Sequence, residues 1–152
     1  MTRQDQLVQD KLVQEYDIRP GKSLDLKIYI KPMGKPRMTQ KDQHKPAHKR
    51  YWAYKDELRR LVGIPTWRFP PPIRLHIVAY IALPPSLSKK EIAERAGHWH
   101  RIVPDASNIL KGVEDILFVK DEKIADVACK KYWESTGPFL SLLPSLELEV
   151  VW

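Results

Sequence analysis

Proline sets the strongest limit on how this chain can fold. Thirteen prolines against six glycines stand at 20, 32, 36, 46, 65, 70, 71, 72, 84, 85, 104, 138 and 144. Each lacks a backbone donor and fixes φ, so each ends a helix or strand or stiffens a turn. Firm turns and edges are expected more than floppy linkers. Residues 1–20 form an amphipathic stretch carrying Leu7, Val8, Leu12 and Val13, closed by Arg19-Pro20-Gly21. Leu24, Leu26, Ile28 and Ile30 alternate with Asp25, Lys27 and Tyr29, the pattern of a half-buried strand. Pro32, Gly34, Pro36 and Pro46 make 32–48 a loop. Residues 49–62 fit a helix that buries Tyr54, Leu58 and Leu61. After a stiff connection over 65–72, residues 73–83 alternate as a second strand that ends at Pro84-Pro85.

The second half continues in the same way. Ser88 and Glu91 are spaced as a capping box opening a short helix to Ala96, and Gly97 closes it. Residues 107–118 place Ile109, Leu110, Val113, Ile116 and Leu117 on one helical face, with Asn108, Lys111 and Asp115 opposite. Residues 123–133 read as a third strand. Gly137-Pro138 and Pro144 bracket a loop before a last strand over 146–152. The order is β-α-β-α-α-β-β, which predicts an α+β fold, a mixed sheet with helices packed on one face. We divide the chain into an N-terminal arm, 1–23, and one domain, 24–152.

A chain of 152 residues has room for one core. Its one cysteine, Cys129, excludes an internal disulfide framework and a Cys-rich zinc module. The apolar runs are too short to span a bilayer, and the polar N-terminus is unlike a secretory signal, so the expected compartment is the cytoplasm. The formal charge is +7. Between residues 31 and 60 ten basic side chains face three acidic ones, so this segment carries the whole excess. Such a segment suits a polyanion, and nucleic acid is the commonest. Tyr51, Trp52 and Tyr54 within it suit base stacking, or equally the buried face of the following helix.

P-loop, dinucleotide-binding, G-x-S-x-G and H-E-x-x-H motifs are absent. His44 and His48 are four apart but separated by Pro46, and His98 and His100 have no cysteine nearby to complete a zinc site. The acids are more informative: Asp105, Glu114, Asp115, Asp121, Glu122 and Asp126 lie within 22 positions. Phosphodiester hydrolysis uses a hard cation, Mg²⁺ or Mn²⁺, held by carboxylates on rigid elements. Asp105 precedes a helix and Asp121 a strand, and Lys111 is placed to steady a phosphate. Asp105 and Ser107 are also good N-caps, and Lys111–Asp115 is an ordinary i, i+4 pair.

Pro104-Asp105-Ala106-Ser107-Asn108-Ile109-Leu110-Lys111, then Glu114-Asp115-Ile116-Leu117, then Lys120-Asp121-Glu122-Lys123-Ile124, resembles the RusA-type Holliday junction resolvases. Their pattern is P-D-x-D-N-L-x-K, L-D-A-L and D-D-x-Q-[IV]. Lys35-Pro36-Arg37 and Tyr51-Trp52-Ala53-Tyr54-Lys55 resemble phage members, so the likeness runs over about residues 24–152. The resemblance implies a small dimeric endodeoxyribonuclease, dependent on Mg²⁺ or Mn²⁺, that nicks four-way DNA junctions symmetrically. It matches the motif aspartates to Asp105, Asp115 and Asp121, the asparagine to Asn108 and the functional lysine to Lys111. Two family aspartates are replaced, by Ser107 and Lys120. One charge at Ser107 and two at Lys120 leave the site three units more positive than the pattern. Glu122 compensates if the register slips by one.

The first reading is thus a junction-resolving nuclease with Asp105 and Asp121 on the metal, Ser107 and Glu122 as lesser ligands, and Lys111 on the scissile phosphate. Lys35, Arg37, Lys45, Lys49 and Arg50 are expected to grip DNA. Asp105 and Asp121 should then meet near Lys111. The second reading is a junction binder that has lost cleavage. The third is a single-strand binder using Tyr51, Trp52 and Tyr54. A homodimer is expected, with branched DNA as partner and no membrane or small-molecule cofactor.

Overall fold

A computed structural model of the chain describes residues 2–37, 39, 41, 44–118, 120–134 and 145–151. The elements are α1 (Arg3–Tyr16), β1 (Leu24–Ile28), α2 (Pro46–Val62), β2 (Ile73–Ala82), α3 (Lys89–Arg95), α4 (Ala106–Leu117), β3 (Ile124–Glu134) and β4 (Leu146–Val151). From β1 onward this is the expected order, and the class is α+β. The expected loop around Gly137, Pro138 and Pro144 lies outside the described residues, as does Trp152.

The four strands run β1-β4-β2-β3 across one sheet. β4 is antiparallel to both β1 and β2, while β3 is parallel to β2, so the sheet is mixed. One face is apolar because the side chains alternate: Ile73, Leu75, Ile77 and Ala79 of β2 and Leu146, Leu148 and Val150 of β4 are buried. α2 and α4 pack there through Tyr51, Tyr54, Leu58, Ile109, Val113, Ile116 and Leu117. Burying each large apolar side chain contributes about 1.5–3 kcal/mol. Leu12 of α1 and Ile18 are buried in the same cluster. The other face of the sheet carries charged pairs: Arg74 with Asp126 at 2.8 Å and Lys27 with Glu147 at 3.5 Å.

Two expectations for α2 need correction. The helix begins at Pro46, so the loop does not run to His48. Proline is tolerated at the first helical position, where its missing N–H has no partner to lose. Its buried stripe is His48, Tyr51, Tyr54, Leu58 and Val62, whereas Leu61 is 38% exposed. The helix turns its Tyr51–Val62 face to α4, which rotates Leu61 outward. α4 itself keeps its expected face, with Ile109, Val113, Ile116 and Leu117 buried and Leu110 partly so. Gly112 faces Tyr51, and a Cβ there would meet the ring at 3.6 Å, an ordinary packing distance.

Candidate DNA-processing site

α4 sets the frame of the site. Asp105 is its N-cap residue, with extended backbone, but its side chain makes no capping hydrogen bond. The exposed carboxylate is therefore not consumed by the helix it precedes. Ser107, Asn108 and Lys111 follow on the exposed stripe. The loop leading into Asp105 is held from beneath. Lys131 Nζ on β3 donates to the carbonyls of Ile102 (2.7 Å) and Pro104 (2.9 Å). Charged hydrogen bonds of this kind are worth about 1.5–3 kcal/mol each. The backbone of 97–100 adds bonds along β3: Trp133 N–H donates to His98 and His100 N–H to Lys131. No sequence signal marked Lys131, because its role depends on a strand and a loop that are 27 residues apart.

The basic segment meets the same end of α4. Lys35 N–H donates to the Asn108 carbonyl at 3.1 Å, and a Cβ on Gly34 would lie 3.2 Å from Pro104 and 3.3 Å from Asn108. Only a residue without a side chain fits this crossing with ease. Lys35 Nζ pairs with Asp115 on α4. Arg37 is exposed, and its carbonyl contacts His48 Nε2 at 2.9 Å. Lys45 holds the N-cap position of α2, and Lys49 and Arg50 are exposed within its first two turns. Four exposed cations thus lie along the loop and the start of α2 that follow this crossing, while Lys35 is tied to a carboxylate.

The opposite end of α4 is closed differently. Arg59 Nε donates to the Ile116 carbonyl at 2.9 Å and Thr66 Oγ1 to the Leu117 carbonyl at 2.8 Å, satisfying acceptors that the last helical turn leaves open. The chain then passes through Lys120, a single 3-10 turn over Asp121–Lys123, and into β3. Lys120 and Glu122 are exposed. Twelve residues of helix span about 18 Å. β3 gives the same separation, since Asp121 precedes its first residue while Lys131, seven residues along it, holds the loop of Asp105. Asp105 and the backbone of Asp121 in one chain therefore stand toward opposite ends of α4, about a helix length apart, so the backbone does not support the expected meeting near Lys111 within one chain. Of the remaining acids, Asp115 is paired with Lys35 and Asp126 with Arg74. Among the described residues no three His, Cys, Asp or Glu side chains converge as a metal site.

The aromatic residues divide. Tyr51 and Tyr54 are buried, and burial pushes both phenols up to about 12, so they remain neutral packing groups. Of the three aromatics in the basic segment, Trp52, 46% exposed, is left for stacking. His48 and His100 are buried, while His44 and His98 are exposed. The Cys129 thiol is raised to about 11 by burial and is not a reactive group.

His100 packs on Trp133, their ring centroids 4.3 Å apart. Burial, with a smaller push from Lys131, holds its imidazole below the ordinary value of 6.5. The unfolded chain then takes up a proton that the folded chain resists, so stability falls as pH drops below about 6.5. Thermal melts at about pH 7 and about pH 5 should show a larger loss of Tm for the native protein than for His100→Gln. An equal loss in both would remove His100 as the source.

The family model for endodeoxyribonuclease RusA matches residues 28–141. The chain belongs to the RusA endodeoxyribonuclease family. The match spans β1's last residue through β3, and so takes in the basic segment, α4 and the turn at Asp121. α1 lies outside it. No curated protein matched the chain. The RusA family binds branched DNA and resolves Holliday junctions, and its nucleases in general depend on divalent metal. No helix among the described residues is long and apolar enough to cross a membrane.

Proposed function

We propose that this RusA-family chain is a Mg²⁺- or Mn²⁺-dependent nuclease that nicks four-way DNA junctions as a homodimer. The observation that carries the reading is the exposed, uncapped Asp105 at the start of α4, where Gly34 and Lys35 of the basic segment also meet the helix. One carboxylate with the Ser107 hydroxyl is a poor site for a hard cation, so the described residues of a single chain do not supply the ligands. A second protomer removes the difficulty. β3 is an edge strand, and over 124–130 no described strand pairs with its outer side. Antiparallel pairing of two copies about the middle of that edge sets the start of one β3 against the Lys131 end of the other. Asp121 of one protomer then comes beside Asp105 of the partner subunit. Ser107 and Glu122 are the lesser ligands of such a site. Lys111, two turns into α4, faces the scissile phosphate, and the basic strip holds the flanking backbone.

The second reading is a protein that binds junctions without cutting them. Ser107 and the exposed Lys120 favour it, because both make the site less attractive to a cation than the family pattern. A synthetic four-way junction incubated with Mn²⁺ or Mg²⁺, beside a linear duplex of matching sequence, decides between them. Paired nicks in the junction alone support the nuclease. A retarded but uncut junction supports the binder. Ser107→Asp and Lys120→Asp should each raise the nicking rate, by adding a carboxylate and, at 120, by removing a repelling ammonium.

A further inference from the structure

Away from α4's N-terminus, α1 and the C-terminal half of α2 enclose a half-open cleft of about 420 Å³ with the turn over Thr66–Arg68. Its size is that of a small-molecule or single-nucleotide pocket. Its lining is unusual for a gap between helices. Lys11, Arg59, Arg60 and Arg68 face it against one carboxylate, Glu15. Tyr16 and Trp67 also line it, 43% and 42% exposed. Apolar contact comes from Val8, Leu12 and Ile64 at its floor.

The cations are not all neutralised locally. Arg60 is held by Glu57 and Lys11 lies 3.8 Å from Glu15, but Arg68 has no carboxylate partner among the described residues. Arg59 uses Nε on the Ile116 carbonyl, leaving its two Nη groups for another acceptor. A buried apolar helix pair needs neither two half-exposed rings nor a free guanidinium. A nucleotide uses both, its base stacking on an aromatic face and its phosphate meeting Arg or Lys.

We infer that this cleft binds one unpaired nucleotide of single-stranded DNA, stacked on Trp67 or Tyr16 with its phosphate on Arg68. The inference goes beyond the nicking reaction and needs no metal. α1 supplies one wall and lies outside the residues matched by the family model, whereas Arg59, Trp67 and Arg68 lie within them. Through Arg59 and Thr66 its other wall is bonded to the last turn of α4, so a strand held there passes the Asp121 end of the domain.

The test uses the full chain and fluorescence anisotropy with labelled ten-residue oligothymidylate, beside a four-way junction with fully paired arms. Trp67→Ala and Arg68→Ala should each weaken oligothymidylate binding about tenfold. Paired-junction affinity should change less than about twofold, because phosphates along duplex arms are held by the basic strip on α2. Trp67→Phe should keep most of the affinity, since stacking survives. Both residues are substantially exposed, and Arg68→Ala leaves the core intact, so loss of fold does not hide the result. Oligothymidylate affinity unchanged in Arg68→Ala and Trp67→Ala overturns the inference. So does equal displacement of oligothymidylate by polyglutamate, which would mean a general anion surface. Failure to cut junctions with this binding intact would count against the nuclease reading alone.

Discussion

Mixing Asp105→Asn protein with Asp121→Asn protein should restore cutting that neither has alone. Each variant by itself should lose at least about a hundredfold in nicking rate, because even outer partners of a metal site cost 10–100-fold when removed. In a dimer with composite sites, a mixed pair has one site missing both carboxylates and one site missing none. Random pairing makes half the dimers mixed, each with one live site of two, so nicking should return to about a quarter of the native value. The product should be single nicks, because the opposed strand faces the dead site. Co-expression with two affinity tags allows the mixed dimer to be isolated and assayed directly. If the sites were complete within each chain, every site in the mixed dimer would lack one ligand and activity would stay at the level of the parents.

The two ends of α4 also mark where the sequence ceased to be informative. The amphipathic stripe Ile109–Leu117, the alternation in β2 and the Ser88–Glu91 capping box are local patterns, and each survives in the fold because burial and capping act within a few residues. The α+β class follows from them. Pro46 misleads because proline breaks a helix interior but starts a helix well. Tyr51 and Tyr54 suited a stacking platform among lysines, yet both are buried in the core cluster with the apolar faces of α4 and the sheet. The arrangement of the candidate residues was not legible. A twelve-residue helix between Asp105 and Asp121 already separates them by about 18 Å, and reading both as element ends obscured that they are different ends. Lys131 and the Lys35–Asp115 pair were invisible because each joins segments far apart in sequence.

Replacing Lys35, Arg37 and Lys45 together with alanine should flatten the dependence of junction affinity on salt. Each phosphate contact contributes about 0.9 to the slope of log affinity against log salt, so losing three lowers it by about 2.7. Lys35 modifies that figure. Its ammonium is paired with Asp115, and DNA must compete with a carboxylate already in place. If the pair persists in the complex, Lys35 releases no counterion and the slope falls by about 1.8. The affinity still falls in full, because Lys35→Ala leaves Asp115 uncompensated beside the phosphates. Asp115→Asn separates these effects: it frees Lys35, and the charge that repelled DNA is removed. Binding should tighten and its slope should steepen by about one contact. Titrations at several salt concentrations measure both quantities. An unchanged slope in the triple variant would mean that residues 31–60 are a solvated surface and that DNA is held elsewhere.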